Sequence, residues 1–158
     1  MSNSNDVRGW YNNFSKNQTE TGVNIRHYKI MNELIKSGLR KDSIVLEVGC
    51  GVGTLTVLLN KFLSRGKLVA TDISDESIEK AKKRIPNSNK IDFFVTDMKD
   101  FSYPKKFDFI VLGLHQDLEK RNTCSIEWAN IIDNYWKIPR LYKLGKLFNF
   151  LPTSKSKF

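Results

Sequence analysis

Apolar residues form short β-rich runs in some parts of the chain and recur at helical spacing in others. The changes between these two patterns mark the predicted strands and helices. Four short β-rich runs predict strands: Ser43–Val48, Lys67–Asp72, Ile91–Asp97 and Phe107–Leu114. Three segments predict helices: Val23–Ser37, Thr54–Leu63 and Asp75–Arg84. Gly38 is suited to end the first of these helices, and Ser74 to begin the third. Strands separated by helices of this length predict an α/β fold with a doubly wound parallel sheet.

The composition is that of one ordinary globular domain. The chain has 158 residues, of which 40% are hydrophobic and 27% are charged. Residues 1–22 are rich in Asn, Ser and Thr, lack the apolar centre of a secretory signal, and predict a flexible N-terminal arm. No run approaches the roughly 18 apolar residues of a membrane span. Cys50 and Cys124 are too few for a disulfide framework and lie in no Cys/His cluster, so we expect no metal site and a cytoplasmic location.

Positive charge is concentrated towards the C-terminal end. The formal net charge is +9, and residues 134–158 contain six Lys/Arg and no acid. A helix beginning at Pro139 would place leucines on one face and lysines on the other, an arrangement that can bind an anionic membrane surface or a partner's groove. Aromatic residues between the bases are also compatible with RNA. Packing of the leucines against the core explains the same pattern.

A glycine-rich stretch, Val45–Thr56, joins the first predicted strand to the next helix. Gly49, Gly51 and Gly53 stand at every second position, and Glu47 precedes them. Glycine is needed where the chain turns sharply and where a ligand touches the backbone, and open α/β sheets bind ligands at the carboxyl ends of their strands. A nucleoside triphosphate would require a Lys-Ser/Thr pair that is missing here. A dinucleotide would require GxGxxG, and the GxGxG of this chain is one residue short.

The stretch "VLEVGCGVGTLT" resembles the first motif of class I S-adenosylmethionine (SAM)-dependent methyltransferases, in which an acid precedes GxGxG at the end of the first strand. The resemblance continues through "LVATDIS", "FFVTDM" and "FDFIVL", and we assign residues 23–114 to a SAM-binding core. It is a resemblance to the generic methyltransferase domain, and it implies a Rossmann-like fold, SAM as the cofactor and methyl transfer as the activity. A positively charged sulfonium without phosphates also explains why the loop needs no lysine.

The resemblance implies cofactor-binding residues at the ends of three consecutive strands. Glu47 would reach the amino end of SAM, Asp72 the ribose hydroxyls and Asp97 the adenine amino group. The other implied positions form the glycine loop or follow the two aspartates: Gly49, Cys50, Gly51, Gly53, Ile73 and Met98. Taken separately, each feature has a simpler explanation: the glycines could form an ordinary turn, Asp72 could cap a helix, and Asp97 could be a solvated loop acid. Three acids at successive strand ends favour the cofactor.

Catalytic residues are not evident, because methyl transfer depends mainly on the positioning of two reactants. The segment Gly113–Glu119 follows the fourth strand, where members of the family face the acceptor, and its His115 is the candidate general base. Alternatively, His115 is an exposed loop residue without a catalytic role. His27 and Tyr28 on the first predicted helix could cover the cofactor, or Tyr28 could pack in the core.

The resemblance ends after the fourth strand. The family's sheet has seven strands, but only 46 residues follow Leu112, fewer than the roughly 80 that three more βα units would need. We therefore predict fewer than seven strands and an atypical basic, aromatic segment over residues 115–158. The fourth strand would be an apolar sheet edge covered by this segment, by a second copy or by another partner, unless the chain is a truncated or frame-shifted relative of a longer enzyme.

The predicted function is transfer of the SAM methyl group to an unidentified acceptor. Two alternatives stay open. One is a SAM-binding but inactive interaction or regulatory module, and the other is an NAD(P)-dependent oxidoreductase.

Overall fold

Helices and strands alternate in the computed structural model, which describes residues 4–17, 22–86 and 88–113. The helices are α1 (Ser4–Asn17), α2 (Ile25–Lys36), α3 (Thr54–Phe62) and α4 (Asp75–Arg84). The strands are β1 (Ile44–Val48), β2 (Lys67–Asp72), β3 (Ile91–Val95) and β4 (Phe109–Leu112). The predicted strands and helices are thus confirmed, and β3 ends two residues before the predicted Asp97.

The strands form one parallel sheet in the order β3-β2-β1-β4. Glu47 of β1 lies beside Ala70 of β2 and Val111 of β4, so its strand is paired on both sides. The predicted α/β fold with fewer than seven strands is confirmed for the described residues. Because all strands are parallel, their carboxyl ends meet at one edge, where the glycine loop also lies.

Alternate residues of β1, β2 and β4 enter two separate apolar clusters, because successive side chains of a strand point to opposite faces of the sheet. Val45 belongs to the first cluster, with Leu34 of α2 and Leu59 of α3. Leu46 belongs to the second, which is closed by Phe101 and Phe107 from the connection between β3 and β4. The helices α2, α3 and α4 therefore bury their apolar side chains on one face of the sheet, and in the described residues a loop packs on the other.

The N-terminal region corrects the prediction of a flexible arm. Residues 4–17 form the helix α1, which packs against α4. The contact is polar: the Ser15 side chain is only 2% exposed and its hydroxyl lies 2.7 Å from that of Ser77. An apolar stripe is the usual signal of a docked helix. Val7, Trp10, Tyr11 and Phe14 do recur at helical spacing, but the high content of Asn, Ser and Thr favoured a flexible arm, and the prediction therefore missed α1.

Helix α2 ends as its glycine predicts. Gly38 has a φ of 101° and its N–H donates to the Ile35 carbonyl at 3.0 Å. The N–H of Leu39 donates to the Leu34 carbonyl at 3.0 Å, which completes a Schellman motif. Leu39 is buried beside Leu34 in the first cluster, and so the helix end also orients the chain into β1.

Several predictions fall on residues that the structure does not describe. Leu114, His115 and the basic segment 115–158 lie outside the described residues, as does Cys124. In the part of the chain that is described, no helix has the length and apolar character needed to cross a bilayer.

Candidate functional site

The glycine loop between β1 and α3 has left-handed backbone at each of its glycines. The φ angles are +70° at Gly49, +54° at Gly51 and +79° at Gly53. A Cβ on Gly49 would overlap the Gly113 carbonyl oxygen, and one on Gly53 would stand 3.0 Å from the Ala81 Cβ. A Cβ on Gly51 would have no described heavy atom within 4 Å. The outer glycines are thus required by packing, whereas Gly51 presents bare main chain to open space.

Thr71 holds the first turn of this loop, although no sequence signal identified it. Its carbonyl accepts hydrogen bonds from the N–H groups of Gly49 and Cys50, at 2.8 and 2.9 Å. The Thr71 hydroxyl donates to the Glu47 carbonyl at 3.3 Å. Cys50 is itself buried, and burial raises the pKa of its thiol, with further contributions from the negative charges of Glu47 and Asp72. We therefore assign Cys50 to support of the loop, with its thiol kept protonated.

Asp72 connects the loop to the start of α4. Its Oδ2 accepts from the Gly51 N–H at 2.8 Å, and its Oδ1 accepts from the Ser74 N–H at 2.9 Å. Burial raises the pKa of Asp72, while the backbone donors of Ser74, Gly51 and Ile73 oppose that rise. A carboxylate has about four lone-pair directions, so two bonds leave acceptor capacity for a ligand. The predicted ribose acid thus lies directly beside the bare loop tip.

Glu47 is buried at the end of β1 and is 1% exposed. Burial raises the pKa of its carboxyl to about 8, the adjacent Thr56 hydroxyl opposes the shift, and the nearby Asp72 adds to it. Among the described residues, Glu47 Oε2 has no hydrogen-bond partner. A buried polar atom without a partner is uncommon, and Thr56 Oγ1 is another one among the described residues. Once the carboxyl ionises, a cationic ligand would supply a donor to it.

Asp97 and Met98 lie beyond β3, at the same edge of the sheet as Asp72. The Thr96 N–H donates to the Asp72 carbonyl at 2.9 Å and joins the two strand ends. Asp97 is half-buried, and its Oδ1 accepts from the Lys99 N–H at 3.2 Å. The Met98 sulfur lies 3.5 Å from the Thr71 hydroxyl oxygen. The three predicted acids therefore occupy successive strand ends, and Ile73, half-buried after Asp72, continues the same rim.

The N-terminal side of α2 carries His27 and Tyr28. His27 Nδ1 accepts from the Asn24 N–H at 3.2 Å, which gives this side chain a capping role at the start of the helix. Burial lowers the pKa of His27, and the positive charges of Arg26 and Arg84 lower it further. Tyr28 is 52% exposed, which excludes the alternative that it packs in the core, and a role in covering the cofactor stays a prediction.

The chain matches the profile of a known family over residues 45–132, and the description of that family is "methyltransferase domain". A malonyl-[acyl-carrier protein] O-methyltransferase of Priestia megaterium is 27% identical over 116 residues. That alignment covers 73% of this chain but 38% of the relative. The chain therefore spans less than half the length of the curated relative.

Solved structures share the fold. A magnesium protoporphyrin IX methyltransferase from Synechocystis PCC 6803, with bound S-adenosylhomocysteine (SAH), matches with a TM-score of 0.67 at 17% identity, over 95% of this chain and 80% of that one. The N-methyltransferase NodS from Bradyrhizobium japonicum WM9 matches with a TM-score of 0.60 at 24% identity, over 71% of this chain and 61% of that one. At these identities the likeness establishes the Rossmann-like fold.

Proposed function

The chain belongs to the methyltransferase-domain family, and from the geometry of its glycine-loop site we propose that it binds SAM and transfers the methyl group to an acceptor. Family membership confirms the resemblance found in the sequence, and SAM is the cofactor that this family uses. One observation carries the proposal furthest. The N–H of the loop-tip residue Gly51 donates to Asp72 Oδ2 at 2.8 Å, and the nearby Glu47 is buried with its Oε2 lacking a hydrogen-bond partner among the described residues.

The described residues fit SAM group by group. Glu47 would hold the amino end, because its buried Oε2 needs a hydrogen-bond donor. Asp72 would hold the ribose hydroxyls with the acceptor capacity that its two backbone bonds leave. Asp97 would accept from the adenine amino group, with Met98 and Ile73 beside the ring. Gly49, Cys50, Gly51 and Gly53 would pass under the amino-acid part.

When bound, SAM supplies an electrophilic methyl group on a sulfonium. The described residues contribute binding and orientation, which is the larger part of catalysis for an in-line displacement. Buried carboxylates near a cation act more strongly than they would in water. We assign no general base among the described residues, and His115 stays a prediction because it lies outside them.

The acceptor and the further partners stay open. The similar proteins are named for different acceptors, malonyl-[acyl-carrier protein] in one case and magnesium protoporphyrin IX in another, so these names favour no single acceptor. Among the described residues, β4 pairs with β1 alone, and a second copy or a partner could add to its outer edge. A cytoplasmic location is supported by a sequence with only two cysteines.

An inactive SAM-binding module is the second candidate, and one observation favours it. The alignment covers only 38% of the curated relative, so most of that methyltransferase has no counterpart in the aligned part of this chain. An NAD(P)-dependent oxidoreductase is disfavoured by the family match and by the GxGxG spacing.

Calorimetric titration of the full chain with SAM, SAH and NAD tests the proposal. We expect binding of SAM and SAH and none of NAD. Asp72→Asn should weaken SAH binding by more than about tenfold, since charged hydrogen bonds contribute roughly 1.5–3 kcal/mol. Asp100→Asn, an exposed acid beyond the site, should bind as the wild type does. Binding of NAD without SAM would overturn the assignment, and SAM binding without methylation of any component of a cell extract would favour the inactive module.

A further inference from the structure

A chain of hydrogen bonds leads from the cofactor-site acid Asp72 to the N-terminal helix α1. The Ser74 N–H donates to Asp72 Oδ1 at 2.9 Å. The Ser74 hydroxyl donates to Ser15 Oγ of α1 at 3.3 Å. Ser15 is 59 residues away in sequence, so this contact exists only when α1 is docked. Helix α1 therefore bonds to the residue that orients one oxygen of Asp72.

Three buried hydroxyls form the junction between α1 and α4. Ser15, Ser74 and Ser77 are 2%, 0% and 3% exposed. Ser15 Oγ lies 2.7 Å from Ser77 Oγ, and the Ser77 N–H donates to Ser74 Oγ at 3.2 Å. Since Ser15 accepts from Ser74, its own proton is available for Ser77, which closes a ring of donors and acceptors. Deleting one hydroxyl would leave buried partners unsatisfied.

A cation on α4 fixes the end of α1 at the same junction. The Lys80 ammonium donates to the Ser15 carbonyl and, at 3.3 Å, to the Lys16 carbonyl. These carbonyls belong to the last turn of α1, where a positive charge is favourable. Further along, the Asn12 amide donates to Asp75 Oδ2 at 3.3 Å. The contacts therefore run along one face of α1 and one face of α4.

Neither apolar cluster of the described residues contains a residue of α1. The sheet and the other helices thus bury their apolar side chains without it, and the polar contacts of α1 are made with Ser74 and the first two turns of α4. Helix α4 begins at Asp75, three residues after Asp72. We therefore expect docking of α1 to influence the cofactor site around Asp72 more than the stability of the apolar core.

We propose that Ser15 is a positioning residue of the cofactor site, which fixes Asp72 through the Ser74 hydroxyl and couples docking of α1 to binding of SAM. This inference rests on the proposed function. Coupling between two equilibria is reciprocal, so cofactor binding must tighten the docking of α1 by the same factor that docking tightens cofactor binding.

The test measures SAH affinity and amide hydrogen exchange of residues 4–17 in the full chain. In the wild type, SAH should slow exchange in α1. Ser15→Ala and Lys80→Ala should each weaken SAH binding by about three- to tenfold, as expected for loss of a buried hydrogen bond. In both variants the slowing of α1 exchange by SAH should largely disappear. Two controls, Asn13→Ala on the outer face of α1 and Ser102→Ala on an exposed loop, should retain the wild-type affinity and slowing.

A purely structural role gives a different result. In that case Ser15→Ala and Lys80→Ala would speed α1 exchange without SAH but leave SAH affinity unchanged, and the inference would be overturned while the proposed function stood. Unchanged α1 exchange in both variants would overturn it as well, because the hydroxyl junction would then not hold the helix. Failure of the wild type to bind SAH would instead remove the proposed function itself.

Discussion

The main chains of Gly49 and Gly113 are in contact where β1 and β4 end. A Cβ on either residue would overlap the carbonyl oxygen of the other. The Gly113 N–H also donates to the Val48 carbonyl at 2.7 Å, so the contact extends the pairing of the two strands. The start of the glycine loop is thereby packed against Gly113, the last residue that the structure describes.

Gly49→Ala should destabilise the protein strongly. The new methyl group would meet main-chain atoms, which cannot rotate away, and the φ of +70° adds its own strain. Overpacking costs roughly 1–3 kcal/mol and a left-handed non-glycine residue roughly 1–2 kcal/mol, and we expect a loss of about 3 kcal/mol. Urea unfolding measures it, with Gly22→Ala as the control at a glycine that has no atom near its missing Cβ. A Gly49→Ala variant as stable as the control would show that the two loops can separate.

Gly51→Ala should affect binding more than folding. No described atom approaches the position of its Cβ, so the cost in stability should be limited to about 1–2 kcal/mol for the left-handed backbone. The methyl group would instead occupy the space above the loop tip. We expect SAH affinity to fall by more than about tenfold, equivalent to 1.4 kcal/mol, with an unchanged circular dichroism spectrum. Gly53→Ala is the comparison, since it meets Ala81 at 3.0 Å and should lose stability first. Unimpaired SAH binding by Gly51→Ala would place the ligand elsewhere.

The sheet and the position of the site could be predicted from sequence because their signals are local. Each strand is a short apolar run, and parallel order follows from the helices between strands. The ends of β1, β2 and β3 then bring Glu47, Asp72 and Asp97 to one edge without any knowledge of side-chain contacts.

The contacts that hold the site could not be predicted, because they join residues that are far apart in sequence. They are also made by backbone carbonyls and serine hydroxyls, which are common along any chain. The carbonyl of Thr71 holds the loop, and every residue has a carbonyl. Serines such as Ser15 are ordinarily exposed, so a buried hydroxyl junction has no compositional signal. Apolar spacing also left open whether Tyr28 packs in the core, whereas the buried residues of α2 are Ile30, Met31 and Leu34.

Gly38→Ala and Gly9→Ala should change stability in opposite directions. Gly38 has a φ of 101° at the end of α2, where a side chain is strained, and we expect a loss of about 1 kcal/mol or more. Gly9 lies inside α1 with open space around its missing Cβ, and alanine there should gain up to about 1 kcal/mol of helix propensity. Urea midpoints compare the two variants directly. If both variants changed the free energy of unfolding equally, the Schellman motif formed by Gly38 and Leu39 would not stabilise the fold.

The stability of the protein without ligand should fall with rising pH because of Glu47. Its pKa is about 8 in the folded protein, whereas an unperturbed glutamate has a pKa of 4.5, so between these values the folded state holds a proton that the unfolded state has released. The contribution is complete below pH 4.5 and is lost as the pH rises through about 8, with a slope of up to about 1.4 kcal/mol per pH unit. His27 has a lowered pKa and acts in the opposite direction near pH 6.5. The difference between wild type and Glu47→Gln isolates the glutamate, and a constant difference between pH 5 and pH 8 would contradict the burial of its charge.

Cofactor binding should release the Glu47 proton. The carboxyl is largely protonated at pH 7, since its pKa is about 8, and it must ionise to pair with the amino end of SAM or SAH. Close to one proton should therefore leave per bound SAH at pH 7, and SAH affinity should rise by up to about tenfold per pH unit between pH 6 and pH 7. Calorimetry in two buffers of different ionisation enthalpy counts the protons. Glu47→Gln should bind SAH more weakly and release none. Equal proton release by the variant would assign the proton to another group and separate Glu47 from the ligand's ammonium.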